Sequence, residues 1–257
     1  PSNEATITVY TAAETPANTA ATGTVSYSDE SFTLTDGYEI SETDAPVFSA
    51  MQPTDGKVAL QPNTTYYVRK AATTTPAVPA SATVSLTLPA RPTTPQNAPA
   101  LVSKTDNTVI VTAIEGQEYS IDDGANWLTG TDGKVTFSGL TQNQAYSVIT
   151  RVKATESAFA SESSEALSVT TKTSAANAPS ATASDVTITE DTVTLPYDAT
   201  YEYQMDSGEW QSGEGKNIFA NLDPATQHTF KVRVKETETA MPSNEATITL
   251  YTAQAAL

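Results

Sequence analysis

The chain has 257 residues and no cysteine, which excludes disulfide bonds and thiolate metal sites. Its 13 Lys and Arg against 30 Asp and Glu give a formal net charge of −17, which disfavours nucleic acid and anionic membranes as partners. No apolar stretch is long enough to insert into a membrane, and the 15 prolines and 11 glycines follow no collagen period.

The first predicted element is a strand that returns near the end of the chain. Residues 1–12 read PSNEATITVYTA, and residues 242–253 read PSNEATITLYTA. Both alternate apolar and small polar residues, as half-buried strands do. We interpret residues 1–12 as the last strand of a preceding repeat. The alternative is that this strand completes a sandwich in a neighbouring molecule, which would give head-to-tail filaments.

The first repeat, residues 13–90, carries a corner phrase ahead of its last strand. Residues 60–69 read LQPNTTYYVR, and an alternating segment, residues 82–88, follows. Related phrases begin at Leu140 and Leu222, so the period is close to 80 residues. A repeat of this kind predicts an array of similar modules.

A proline-dense joint, residues 89–95 (PARPTTP), leads into the second repeat, residues 91–174. We expect this joint to be stiff and extended. The segment EYSIDDGANW, which starts at Glu118, contains two strand patterns around a tight Asp-Gly turn. If its first strand neighbours the later basic strand, Glu118 lies across from the basic row of Arg151 and Lys153.

The third repeat, residues 175–257, shows the same order of elements, and its EYQMDSGEW segment places Glu202 across from the basic strand that contains Arg233. The predicted strands are Asp185–Thr189, Thr192–Leu195, Thr200–Met205, Asn217–Ala220, His228–Lys235 and Glu245–Tyr251. No window sustains a helical period, so helix should be nearly absent. The sequence therefore predicts an all-β chain of three tandem sandwiches in an elongated array.

The corner phrases resemble the E–F corner of fibronectin type III domains. In that family a tyrosine hydroxyl forms a hydrogen bond with the backbone upstream of the corner, and the resemblance implies the same bond here. The corner positions are Leu60 and Tyr66, Leu140 and Tyr146, and Leu222 and His228. The second repeat lacks the proline and threonine of the pattern, and the third has His228 where tyrosine is expected.

Two further phrases, EYSIDDGANW and RVKAT (151–155), are similar to repeats of large secreted and wall-anchored proteins of Gram-positive bacteria. The resemblance implies fibronectin type III-like (Ig-like) modules in a bacterial protein located outside the cell, at the cell surface or in the cell wall. It identifies an architecture, which can host unrelated activities.

Calcium is the one cofactor that the sequence suggests. Its candidate ligands are Asp122, Asp123 and Asn126 in one turn and Asp206 and Glu209 in the other. Neither turn follows the EF-hand order, and tight turns recruit Asp and Asn for conformational reasons alone. Otherwise no metal or cofactor is expected.

Two aromatic positions and one histidine are the remaining candidates. Trp127 and Trp210 could stack on sugar rings, or they could close one end of a core, which their recurrence at one position favours. His228 is the sole histidine, and its place on a strand indicates packing or hydrogen bonding rather than a catalytic triad. No catalytic residue is predicted.

The function we expect is non-catalytic. The repeats would form a stalk, spacer or fibre segment of an extracellular surface protein or adhesin, in which each module contacts its neighbours in the chain. The alternative is an adhesin or carbohydrate-binding module that contacts a host or environmental ligand, either a protein or a glycan.

Overall fold

The structure, a computed structural model, describes residue 18 and residues 20–255. Within this range β-strands predominate, and the only helix is one 3₁₀ turn, Ala183–Asp185. No helix of the described residues is long and apolar enough to cross a membrane. The prediction of an all-β fold is confirmed. The predicted strand at residues 1–12 lies outside the described residues.

The first repeat forms two antiparallel sheets and a small hairpin. Its strands are β1 (Gly23–Ser26), β2 (Ser31–Leu34), β3 (Tyr38–Ser41), β4 (Lys57–Ala59), β5 (Thr65–Lys70), β6 (Thr73–Thr74), β7 (Ala77–Val78) and β8 (Val84–Thr87). The sheet orders are β1-β2-β4 and β3-β5-β8, and β6 pairs with β7. Alternation along β5 buries Tyr66 and Val68. They join Phe32, Ile40 and Leu60 in one apolar cluster.

The second repeat has the same two sheets, but a short strand is added to one of them and its described strands include no pair like β6-β7. Its strands are β9 (Leu101–Lys104), β10 (Thr108–Thr112), β11 (Gln117–Ser120), β12 (Leu128–Thr129), β13 (Lys134–Ser138), β14 (Ala145–Val152) and β15 (Leu167–Thr170). The sheet orders are β13-β10-β9 and β12-β11-β14-β15. Val109 and Val111 of β10 are fully buried, opposite Phe137 and Val135 of β13.

The third repeat again pairs a three-stranded with a four-stranded sheet. Its strands are β16 (Thr187–Ile188), β17 (Thr192–Thr194), β18 (Tyr201–Met205), β19 (Gln211–Ser212), β20 (Ile218–Ala220), β21 (Gln227–Val234) and β22 (Ala246–Tyr251). The sheet orders are β16-β17-β20 and β19-β18-β21-β22. Val193, Leu195, Tyr203, Phe230 and Ile248 belong to its core.

One predicted strand of the third repeat is partly wrong. Residues predicted as the start of strand Asp185–Thr189 instead complete the 3₁₀ turn, because the Asp185 carboxylate accepts hydrogen bonds from the Thr182 backbone N–H and hydroxyl. The strand begins only at Thr187, and β19 was not predicted.

The strands of each repeat can be lettered A, B, C, E, F and G in chain order, with C′ added after C in the second and third repeats. Strands A, B and E form one sheet, and C, F and G form the other, with C′ beside C. This is the strand arrangement of a fibronectin type III-like sandwich. The fold class predicted from the sequence, tandem sandwiches of this type, is confirmed.

Contact density divides the chain into two compact units. Of the described residues, the first comprises residue 18 and those from 20 to 98 together with 115–119 and 149–165, and the second comprises 99–114, 120–148 and 166–255. Residues 149–165, which include the loop between strands F and G of the second repeat, therefore pack with the first repeat. The boundaries of the repeats at 90/91 and 174/175 remain predictions of the sequence.

Candidate functional site

The loop between strands F and G, the FG loop, is built in the same way in each repeat. One serine hydroxyl accepts the N–H of a residue near the end of strand F and donates to the carbonyl of the residue that follows the serine. The serine–strand pairs are Ser81 with Lys70, Ser161 with Val152, and Ser243 with Val234, at 2.9, 2.9 and 2.8 Å. This bond fixes the return of the chain, so the tip of each loop is presented in a defined position.

In the first compact unit, Arg91 ties the chain that leaves the first repeat to an FG loop. Its guanidinium donates to the Glu30 carboxylate at 2.7 and 2.8 Å and to the Ala160 carbonyl at 2.9 Å, and its Nε lies 3.0 Å from Glu162 Oε1. The hydrogen bond with Glu30 raises the pKa of Arg91, so the cation is held firmly. One side chain thus links the first repeat to the FG loop of the second.

Phe159 of that FG loop has no exposed surface. It belongs to the same apolar cluster as Leu60 and Leu88 of the first repeat, and its ring packs edge-on against Tyr27 with the centroids 4.9 Å apart. The Arg91 guanidinium lies 5.9 Å from the centre of the Phe159 ring. A residue from the second repeat therefore completes the core of the first.

In the second compact unit, Lys172 makes the corresponding link to the FG loop of the third repeat. Its Nζ donates to Glu236 Oε1 at 2.6 Å and to the Thr237 carbonyl at 2.7 Å, and its backbone N–H donates to Thr105 at 2.9 Å. The side chain is only 10% exposed. A buried ammonium is stable only when such partners replace its hydration.

Backbone hydrogen bonds extend this second joint. The Thr173 N–H donates to the Thr239 carbonyl at 2.9 Å, and the Met241 N–H donates back to Thr173 at 3.0 Å. The Asn244 N–H donates to the Ala176 carbonyl at 2.9 Å. The segment across the predicted 174/175 boundary is therefore paired with the FG loop of the third repeat over several residues.

Sequence patterns did not reveal these joint residues. Arg91 and Lys172 were visible as basic residues next to the predicted joints in a chain with few basic residues. Phe159 and Met241 each follow an alanine in the FG loop and stand two residues before the serine that recurs in each repeat. These two signals could have identified the joints.

A glutamate on strand C pairs with an arginine on strand F in every repeat. The pairs are Glu39–Arg69, Glu118–Arg151 and Glu202–Arg233, with Oε1–Nε distances of 2.6, 2.7 and 2.5 Å. The predicted positions of Glu118 and Glu202 across from the basic strand are confirmed. The pairs of the first and third repeats are partly exposed, so each contributes about 1 kcal/mol or less, whereas Glu118 of the second repeat is buried.

Aromatic rings lie against Arg233 and Arg69. The Arg233 guanidinium lies 4.0 Å from the ring centre of Trp210, and in the first repeat Arg69 lies 3.7 Å from that of Phe48. Trp127 packs beside its turn, where a Cβ on Gly124 would come within 3.2 Å of the indole. One face of Trp210 is thus already covered by a cation, which opposes its use as a platform for sugars.

The corner residues differ between the repeats. The Tyr66 hydroxyl accepts the Gln61 N–H at 2.8 Å, and the Tyr146 hydroxyl accepts the Thr141 N–H at 2.9 Å. Leu60 is buried beside Tyr66, whereas Leu140 and Leu222 are half-buried.

In the third repeat, a tyrosine on strand C, and not one at the E–F corner, forms the hydrogen bond with upstream backbone. Tyr203 of β18 accepts the Asp198 N–H and donates to the Pro196 carbonyl, both at 2.9 Å. Burial raises the pKa of Tyr203. A tyrosine on strand C thus bonds back to the backbone at the start of its own strand.

His228 is bound to Asp206 instead of a corner backbone group. Its Nδ1 lies 2.9 Å from Asp206 Oδ2, and its Nε2 is buried without a hydrogen-bond partner among the described residues. The Thr229 N–H and the His228 ring lower the pKa of Asp206. A catalytic triad would need a serine at Nε2.

The calcium candidates in the first turn are held by internal bonds. Asp122 accepts the Ser120 hydroxyl and the Asn126 N–H on Oδ1 and the Asn126 side-chain amide on Oδ2. The Asn126 amide and N–H and the Ser120 hydroxyl lower the pKa of Asp122 to about 2. Asp123 and Glu209 are exposed, while both oxygens of Asp206 are engaged. In the described range, no three His, Cys, Asp or Glu residues cluster to hold a metal ion.

Replacing Asp122 with asparagine is expected to reduce the fall in the free energy of unfolding at acidic pH. The carboxylate has a folded pKa near 2 against an ordinary value of 3.8, so its contribution is present above pH 3.8 and is lost as the pH falls through about 2. Urea unfolding of wild type and Asp122→Asn across this range measures the difference. Asp123→Asn is the matched control, and a wild-type acid limb in Asp122→Asn would contradict the expectation.

No protein-family profile matches the chain, and no curated protein sequence matches it. Among solved structures, the chain is similar to the FN1–FN3 domains of chicken CNTN1, with 14% identity over 90% of this chain and 97% of that chain and a TM-score of 0.40. It is also similar to fibronectin(III)-like modules of Clostridium thermocellum CbhA, with 12% identity over 62% and 92% of the two chains and a TM-score of 0.36. A two-domain fibronectin type III segment of chicken tenascin shows 12% identity over 61% and 100%, with a TM-score of 0.26.

Proposed function

We propose that this chain is a non-catalytic spacer, part of a stalk or fibre of an extracellular surface protein. In this role each sandwich holds the next in a restricted orientation, so that a distal domain is kept at a distance from its anchor. Tandem sandwiches with separate cores suit this role because length grows with the number of repeats.

The joints are the observation that carries the proposal. In each case a basic side chain next to the boundary between two repeats, Arg91 or Lys172, binds the FG loop of the later repeat. A free linker of this length would let neighbouring modules reorient, because nothing would offset its conformational entropy. Several charge-assisted bonds, with Phe159 buried in the first joint, restrict that freedom.

The net charge of −17 supports the same role. Spacers at a surface are packed closely, and like charge limits their lateral association. The carbohydrate-binding alternative has less support, since Arg233 lies over the Trp210 ring that would have to contact a sugar.

Distance distributions between introduced labels test the spacer function. The chain has no cysteine, so cysteines introduced at Ser85, Ser168 and Thr249 would be unique labelling sites. These three residues are exposed and hold equivalent positions on strand G of each repeat. We expect pulsed electron–electron double resonance to give narrow distance distributions between spin labels for the 85/168 and 168/249 pairs.

Arg91→Ala should broaden the 85/168 distribution and leave the 168/249 distribution unchanged. Arg69→Ala is the matched arginine control, because Arg69 pairs with Glu39 on the face of its own sheet. Distributions in the unsubstituted chain that are as broad as those of a flexible linker would refute the spacer function.

A further inference from the structure

We propose that the FG loop of the third repeat selects its neighbour. It accepts a preceding sandwich that carries a lysine two residues after strand G, and Lys172 and Glu236 determine this choice. The proposal rests on the spacer function and names the kind of neighbour that the second joint admits. The two joints carry their charges at different positions, and that difference is the basis of the selection.

The residues that leave each sandwich, here called the exit segment, correspond one to one. The exit segments are residues 88–91 (LPAR), 171–174 (TKTS) and 252–255 (TAQA). In each, the carbonyl of the second residue accepts the N–H of a residue in the E–F turn. These bonds join Asn63 to Pro89 at 2.9 Å, and Asn143 to Lys172 and Ala225 to Ala253 at 3.1 Å. The second residues of the three exit segments therefore hold the same position.

The FG loops of the second and third repeats also correspond, because they have equal lengths and the same bonds at both ends. The Lys153 and Lys235 N–H groups both donate at 2.9 Å to the residue ahead of strand C. The recurring serines, Ser161 and Ser243, stand eight residues after these lysines. Counting between these points matches Ala154 with Glu236, Phe159 with Met241, and Glu162 with Asn244.

In the second joint, the ion pair involves the second residue of the exit segment. Lys172 Nζ lies 2.6 Å from Glu236 Oε1. At the same two positions the first joint has Pro89 and Ala154, which carry no charge. Pro89 is exposed, whereas only 10% of the Lys172 side chain is exposed. A buried cation thus marks the second joint alone at this position.

In the first joint, the ion pair involves the fourth residue of the exit segment. Arg91 Nε lies 3.0 Å from Glu162 Oε1. The second joint has Ser174 and Asn244 at these positions, and the Ser174 hydroxyl donates to Asp106 of its own repeat at 2.8 Å. Each joint therefore places its ion pair between repeats at a different position and has uncharged residues at the other.

The first residue of the exit segment also differs between the joints. Leu88 is buried with Leu60 in the cluster that holds Phe159. Its counterpart Thr171 is also buried, but the Thr171 hydroxyl donates to the Thr141 carbonyl at 2.6 Å. The end of the first repeat is therefore apolar and suits an aromatic ring, whereas the second repeat has a hydroxyl at this position.

A wrong pairing would be unfavourable on the lysine side. If the second exit segment met a loop of the second repeat's type, Lys172 Nζ would face the Ala154 methyl group and have no carboxylate there. A buried charge that has lost its counter-ion destabilises a contact more than uncharged residues at both positions do. Specific interfaces commonly use such an unpaired charge against the wrong partner.

Spin labels on cysteines introduced at Ser168 and Thr249 test the selection in the complete chain. Glu236→Ala gives the third loop the residue that the second loop has, and the 168/249 distance distribution should widen by about twofold toward that of a free linker. Adding Lys172→Ala removes the unpaired charge and should restore most of the narrow width.

Restoration is expected because the backbone bonds that Thr173 makes with Thr239 and Met241 do not depend on either side chain. Glu238→Ala removes an exposed glutamate of the same loop, so it is the matched control and should leave the distribution narrow. Glu236→Gln, which keeps the shape of the side chain and removes its charge, must also widen the distribution. Hydrogen exchange in β21 and β22 verifies that a widened variant is still folded.

The unsubstituted chain separates this proposal from the spacer function. A broad 168/249 distribution in that chain would overturn both. If it is narrow, two results would overturn the selection and leave the spacer function standing. One is a narrow distribution in folded Glu236→Ala and Glu236→Gln, and the other is a widened distribution that Lys172→Ala does not narrow.

Discussion

Replacing Phe159 with alanine is expected to destabilise the first repeat, although the residue belongs to the second. The ring is fully buried in a cluster with Phe32 and Leu60, so its loss should cost about 3–5 kcal/mol. Hydrogen exchange on peptides from β2 and β5 measures the effect, with protection falling by about a hundredfold or more.

Tryptophan fluorescence gives the internal reference for this experiment. Trp127 and Trp210 are the only tryptophans, and both lie outside the first repeat. Their unfolding transition should therefore change little in Phe159→Ala. Val78→Ala, a truncation in the FG loop of the first repeat itself, is the control and should cost less than about 1 kcal/mol because Val78 is only half-buried. Loss of protection confined to β10 and β13 would contradict the assignment.

Replacing Lys172 with methionine is expected to loosen the second joint by about 2 kcal/mol, since Nζ gives up two charge-assisted hydrogen bonds that the thioether cannot make. Exchange of the Thr173 and Met241 amides, which pair across the joint, should accelerate. The sheets on either side should keep their protection.

Two further variants define the Lys172 effect. Lys153→Met is the matched control, because Lys153 is exposed at the start of another FG loop and should shift stability by no more than about 0.5 kcal/mol. Combining Lys172→Met with Glu236→Gln measures the coupling of the pair. Equal exchange rates at Thr173 and Met241 in Lys172→Met and wild type would show that the backbone bonds alone hold the joint.

The sequence predicted those parts of the fold that depend on local alternation. The period-2 pattern placed Glu118 and Glu202 across from the basic strand, because neighbouring strands fix such pairs geometrically. Strand lengths were less accurate, since a side-chain cap such as Thr182–Asp185 delays the start of a strand without changing its alternation.

Contacts between repeats could not be predicted in this way. Which residue fills the end of the first core depends on how far an FG loop reaches, and no periodic pattern encodes that distance. Phe159 falls within the predicted second repeat, residues 91–174, and nothing in its local sequence points to the first core. The contact of Phe48 with Arg69 was not predicted for a similar reason. Phe48 makes the contact that Trp210 makes with Arg233, but its own segment contains no tryptophan and does not resemble the Trp210 segment.

The burial of Phe159 has a consequence for how such an array is divided and copied. The repeat seen in the sequence does not coincide with the unit that folds cooperatively. The two are offset by one loop, because Phe159, from residues 149–165, packs into the core of the first repeat. A duplication or excision at the linkers leaves the sequence of each repeat intact. It nevertheless changes which FG loop follows a given core, so that core receives a different aromatic ring or none. Compatibility between adjacent loops and cores, rather than the stability of single modules, would then decide which orders of repeats persist.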